Sequence, residues 1–144
     1  VLAFPRWFLP ALCLLALASC RTISLYDQAA YEHAVSAKVD TLALMDKATE
    51  SYSSHQKEIE ALNRELEKAY QYDLGRPLNK VTATQWKILL DPDRNLVGGF
   101  LKMWKNRGSL GATFVAEKKI QIAEAFDQII GLESGKIKPS QVTQ

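Results

Sequence analysis

Apolar and polar positions follow a helical period along most of this chain. Val35, Leu42, Met45, Tyr52, Ile59, Leu62, Leu66 and Ala69 recur at steps of three, four and seven, which keeps them on one stripe of a helix. Lys38, Ala48 and His55 fill the remaining positions of that register, while Glu58, Glu60, Arg64, Glu65, Glu67 and Lys68 fall on the other side. No glycine or proline interrupts Arg21 to Leu74, so the pattern predicts one long helix over residues 21–74. Unbroken from Ser24 to Tyr72, it would reach roughly 70 Å at 1.5 Å per residue. Ser51-Tyr52-Ser53-Ser54 has poor helix propensity and marks the place for a bend or break.

Asp73-Leu74-Gly75-Arg76-Pro77 supplies a helix stop, glycine after the last periodic residues and proline beyond it. Thr82 or Thr84 is placed to cap a short helix through Leu90, and Asp91-Pro92-Asp93 ends it. A second short helix is expected from Arg94 or Asn95 to about Asn106, with Gly98-Gly99 an awkward pair inside it. After Arg107-Gly108, Ser109 is a candidate cap for a C-terminal helix over 109–134, with Phe114, Val115, Ile122, Phe126 and Ile129 on its apolar face. The polar tail 136–144, with Pro139, is expected to fray.

The predicted fold is therefore all-α. A long N-terminal helix packs antiparallel on a C-terminal helix, and two short helices over residues 76–108 form a basic cap between them. Residues 20–144 make one helical domain, and a composition of 47% apolar and 24% charged residues agrees with an ordinary core. A long helix of some 48 residues cannot be covered by one of about 22. Either it breaks near Ser53 or part of its stripe meets another chain, which makes self-association an expectation too.

Residues 1–19 read differently. One base, Arg6, precedes an apolar run from Trp7 to Ser19 that contains Pro10 and is too short to span a bilayer comfortably. The run closes on Leu17-Ala18-Ser19-Cys20, an aliphatic residue and two small ones before a cysteine, which resembles the lipobox of bacterial lipoproteins. That resemblance implies a signal peptide over 1–19, diacylglycerol transfer to the Cys20 sulfur and cleavage before Cys20. The chemistry needs a thiolate as nucleophile. Several acyl chains make a stable membrane anchor where one is marginal. Arg21 is not the aspartate of the inner-membrane retention signal of enteric bacteria, so in a Gram-negative host the outer membrane, facing the periplasm, is favoured. Cys13 is the only other cysteine, so the processed chain would hold no free thiol and no disulfide.

Charge is uneven. Residues 22–75 carry ten acids against five bases, whereas 76–108 carry seven bases against Asp91 and Asp93 alone. Within this basic segment Lys87, Arg94, Lys102, Trp104, Lys105 and Arg107 are candidate surface-contact residues for anionic headgroups, cell-wall polymer or an acidic partner. The plainer alternative is that Trp86 and Trp104 anchor the cap of a helical hairpin and the lysines decorate it. The nearly balanced charge, +2 overall, and the export signal argue against nucleic acid as a partner.

No catalytic or cofactor motif stands out. His33 and His55 are the only histidines and would lie about 33 Å apart on one continuous helix, too far to share a metal. His55, in the apolar register, reads as a packed or edge histidine. Glu58, Glu60, Glu65 and Glu67 alternate with Lys57, Arg64 and Lys68, the pattern of a solvated helix face. No glycine-rich phosphate loop or hydrolase spacing occurs. The sequence therefore leads to a lipid-anchored, non-enzymatic envelope protein, needing no cofactor or metal. It would act as a binding, scaffold or accessory module on an envelope protein partner. Contact with membrane or cell wall through 76–107 is the alternative, and a small enzyme with an unrecognised site stands third.

Overall fold

A computed structural model describes residues 24–142, so the signal-like segment, the lipobox and Cys20 lie outside the described residues. Among the described residues five α-helices form a bundle: α1 (Gln28–Met45), α2 (Gln56–Gly75), α3 (Lys80–Leu90), α4 (Val97–Arg107) and α5 (Ala112–Glu133). Three short 3₁₀ turns, Asp46–Thr49, Tyr52–His55 and Pro139–Gln141, complete it, and no strand occurs among the described residues.

The stretch expected as one long helix is two. α1 stops at Met45, the chain turns through Asp46–His55, and α2 runs back antiparallel along α1, so that Tyr72 near its end bonds Asp27 just before α1 begins. The break includes Ser51-Tyr52-Ser53-Ser54, where weak propensity predicted it. Tertiary bonds hold it open: Tyr52 N–H donates to Gly108 O at 2.7 Å, Leu110 N–H to Ala48 O at 2.8 Å, and the Trp104 indole to Glu50 O at 3.0 Å. Backbone groups freed from a helix are thereby satisfied by the α4–α5 connection. Folding α2 onto α1 also covers the stripe inside one molecule, which removes the length mismatch that had pointed to self-association.

α1 packs antiparallel on α5 as well, with Lys38 bonded to Asp127 at 2.6 Å and Lys119 to Asp46. Because α1 lies between two helices, its central buried face is thin: Ala30, Ala34, Ala37 and Thr41, then Leu44 and Met45, with Ala48 buried in the turn that follows. Val35 and Leu42, expected at the centre of the stripe, flank it half-buried. Small side chains let both neighbours approach. On α2 the expected face is buried as read, Ile59, Leu62, Leu66 and Ala69, and the same three-four rhythm continues to a buried carboxylate, Asp73.

Trp86 of α3 and Phe126 of α5 meet edge-to-face at 5.9 Å, both fully buried in the core. Such aromatic pairs add about 0.5–1.5 kcal/mol beyond the area they bury. α3 begins at Lys80, ahead of both threonines expected to cap it, and α5 begins after Gly111 rather than at Ser109. Gly98 and Gly99 open α4 where it crosses the end of α3: a Cβ on Gly98 would stand 2.2 Å from Leu90 O, and one on Gly99 1.8 Å from Arg94 O. The awkward glycine pair is thus a requirement of close backbone approach. Within the tail expected to fray, Ile137 is docked, its N–H bonded to Gly131 O at 3.0 Å and its side chain lying where a Gly131 Cβ would be, while Lys136, Lys138, Ser140 and Gln141 are exposed.

Candidate functional site

At the end of the bundle where Ser24 leads into α1, four segments bring buried polar groups together. Asp73, one turn past Ala69 on the apolar face of α2, is 1% exposed and so withdrawn from bulk solvent. Its carboxylate is paired inside instead: Oδ2 accepts the Trp86 indole N–H at 2.6 Å, and Oδ1 accepts Arg76 Nη1 at 3.1 Å and Asn79 Nδ2 at 3.1 Å. Asn79 Nδ2 also reaches the Asp73 carbonyl at 3.2 Å, so the residue before α3 binds back to α2 and makes no side-chain cap for its own helix.

Arg76 is the hub. Its guanidinium pairs with Asp73 and with Glu133 of α5, a residue 57 positions away in sequence, and Nη2 donates to Ser24 Oγ at 2.9 Å and Leu25 O at 2.7 Å. A planar fork serves four acceptors in a way that a single ammonium cannot. Asp27 stands 3.9 Å from Nε, accepts the backbone N–H of Ala30 at 2.9 Å to cap α1, and accepts the Tyr72 hydroxyl at 3.1 Å. The first residues of the described chain are therefore clamped to the ends of α2 and α5.

The electrostatics follow from burial. Loss of solvation pushes the Asp73 carboxyl above the usual aspartate range, and the negative charge of Glu133 adds to it, against the pull of Trp86 and Arg76. For Arg76, burial works against the charge, yet its bonds to Glu133 and Asp73 outweigh that and raise it further. Asp27 goes the other way, lowered first by the Ala30 N–H. Glu133 Oε1 is buried without a hydrogen-bond partner among the described residues, beside a cavity of about 20 Å³ lined also by Ser24, Leu78 and Pro139. That space suits about one water-sized molecule and no organic substrate. Chemically, the cluster is fitted to hold the end of the bundle closed.

The sequence-predicted contact residues are scattered by comparison. Trp104 is fully buried, its ring edge-to-face with Tyr52 at 5.5 Å, so it contacts no external surface. Its large apolar ring is worth more in the core than at the rim, and Trp86 is buried likewise. Both tryptophans thus follow the structural alternative. Lys87, Arg94, Lys102, Lys105 and Arg107 are exposed. Lys102 pairs with Asp93 at 2.8 Å and Arg94 lies 3.9 Å from Asp91, while Lys105 and Arg107 stand in the last turn of α4 at the opposite end from Ser24.

His55 lies in the helix break with its side chain 11% exposed, between Glu50 Oε2 at 2.8 Å and Glu58 Oε1 at 3.2 Å. These bonds raise its pKa, Glu50 first and Glu58 next. His33 packs edge-to-face on Tyr72 at 5.0 Å. Among the described residues no group of three His, Cys, Asp or Glu is arranged to hold a metal, and no helix is long and apolar enough to cross a membrane.

Sequence reading missed the hub. A carboxylate at the next register position after Ala69 was the visible signal for Asp73, whereas Asp73 and Arg76 read as part of a helix stop and Glu133 stood out by no feature of the sequence. Compared with protein-family models, curated proteins and solved structures, the chain matches none.

Proposed function

We propose that this protein is a lipid-anchored, non-enzymatic module of the bacterial envelope, held by one end at a membrane and offering the other end to an envelope partner. One observation carries the reading. Ser24 and Leu25, four and five residues after the lipobox Cys20, are clamped by Arg76 to the end of the bundle. An anchor at Cys20 would therefore act on a fixed end of a rigid body and set its orientation, where a long flexible linker would leave the domain free to tumble.

The geometry then divides the surface. α1 is 18 residues long, which puts its far end about 27 Å from its start at 1.5 Å per residue. Lys105 and Arg107 sit at that far end, beside the helix break, and would face away from the anchoring membrane. Contact with an acidic face of a periplasmic partner or with anionic wall polymer suits them better than the headgroups of the same membrane. In a Gram-negative host the anchoring membrane would be the outer one.

Mass spectrometry of the processed N-terminus, joined to photocrosslinking in intact envelopes from positions 105 and 107, tests the proposal. Acylated Cys20 and one recurrent crosslinked partner are the expected results. An unmodified N-terminal residue other than Cys20 overturns the anchor, and a clean monomer with no partner at either position overturns the binding role.

A further inference from the structure

The end of the bundle that carries the Arg76 clamp has an unusual surface. Leu25, Tyr26, Leu74 and Leu78 are exposed there at 67%, 63%, 52% and 58%. Leu25 and Leu78 line one small cavity with Ser24, and Leu74 and Leu78 line the adjoining groove with Lys80, so the three leucines form a continuous patch.

Leu78 is also the only non-glycine residue with a positive φ among the described residues, at 59°. That left-handed conformation favours glycine or asparagine, and in Leu78 it is kept for a side chain that stands largely in solvent. Strain held at an exposed apolar residue directs attention to something outside the molecule. Charge agrees: Lys80, Lys136 and Lys138 are exposed around this end, whereas Asp73 and Glu133 are buried within it and Asp27, half-buried, is held by Tyr72 and Arg76.

The length of chain before Ser24 names the occupant. Cys20 is four residues upstream, and four fully extended residues span at most about 14 Å. We infer that the Leu25, Leu74 and Leu78 patch is seated in the headgroup and outer acyl region of the membrane that holds Cys20, with the lysines of its rim among anionic headgroups. This rests on Cys20 being acylated. Apolar side chains at the centre and long basic ones at the edge are the arrangement that interfacial binding uses, because the lysine stems reach back to the polar layer.

The processed, acylated chain holds no free thiol, since Cys13 is in the leader and Cys20 is modified, so single cysteines can be labelled cleanly. Leu78→Cys and Leu74→Cys, each carrying an environment-sensitive fluorophore, are compared with Ile120→Cys, which is 63% exposed and adjacent to Lys119 at the far end. The purified acylated protein is placed in vesicles of phosphatidylethanolamine and phosphatidylglycerol. A blue shift with a several-fold rise in emission is expected at 74 and 78 and none at 120. Two labelled positions guard against loss of folding in one variant. Water-like emission at 74 and 78, with Cys20 shown acylated by mass spectrometry of the same sample, overturns the inference and leaves the anchor standing. A shift that needs no vesicles and grows with protein concentration overturns it in favour of a second copy on the patch. An unmodified Cys20 overturns the anchor and this inference with it.

Discussion

Trp86 donates its indole N–H to Asp73 Oδ2 across 2.6 Å in the closed interior, joining α3 to α2 at the foot of the bundle. A carboxylate buried this fully survives because every neighbour that could pair with it does so. Removing it with Asp73→Ala leaves Trp86, Asn79 and Arg76 short of an acceptor and should destabilise the fold by about 3–5 kcal/mol. Trp86→Phe keeps most of the ring and orphans only Oδ2, for an expected loss of about 1–3 kcal/mol. Urea unfolding followed by circular dichroism measures both. A loss below about 1 kcal/mol for Asp73→Ala would mean that the pairing is slack.

Arg76 makes a distinguishable prediction, because it also holds Ser24 and Leu25 ahead of α1. Arg76→Met should cost about 3–5 kcal/mol by leaving buried carboxylates uncompensated. Amide exchange should accelerate at residues 25–30 beyond what global destabilisation explains, with little local change at the break 46–55. Arg76→Lys should recover part of the stability and little of the protection, since a single ammonium cannot reach Ser24, Leu25, Asp73 and Glu133 together. Equal protection in all three proteins is the contrary outcome.

His55 ties stability to pH. Its folded pKa lies above 6.5 through the bonds to Glu50 and Glu58, so its contribution is complete below 6.5 and disappears as pH rises through the folded value. Glu58 behaves oppositely: Lys47 first, then His55, lowers its pKa, so its share is present above 4.5 and is lost as pH falls through the folded value. The gap in urea midpoint between the native protein and His55→Gln should therefore be widest near about pH 6 and narrow toward about pH 9. A gap that stays constant over that range would show that packing against Trp104, at 5.9 Å, and not charge, is what His55 contributes.

The glycine pair of α4 is open to a direct test. An added methyl at Gly99 meets the Arg94 carbonyl and at Gly98 the Leu90 and Asp91 carbonyls, all backbone atoms that cannot swing aside. Each alanine should cost about 1–3 kcal/mol or more despite its better helix propensity. Gly111→Ala has open space around the Cβ and serves as the control, with little change expected. Thermal unfolding ranks the three, and a stabilised Gly99→Ala would refute the close approach of α4 to the turn before it.

Much of this fold was legible in the pattern of side chains. The helical character of the described residues, the apolar face of α2, the stop at Gly75 to Pro77 and the weak point at Ser51 to Ser54 follow from period, propensity and backbone freedom, which are local properties. Less was legible on α1. A stripe through Val35 and Leu42 satisfied the period, yet the buried centre runs through alanines, because two helices and not one press on that face. Hydrophobicity alone selects the largest side chains, whereas contact from both sides selects the smallest.

By itself, the sequence determined the helical character of the chain, the apolar register that carries Asp73 inward, and the lipobox-like segment that orders the functional hypothesis. Only the tertiary structure decided that Arg76 would meet Glu133, that Trp104 would be interior where a surface role had been open, and that Leu25, Leu74 and Leu78 would share one end. The physical reason is that a helical period states which way a residue points along its own axis. What stands opposite depends on chain segments that are distant in sequence, and burial, pairing and exposed patches are properties of that meeting.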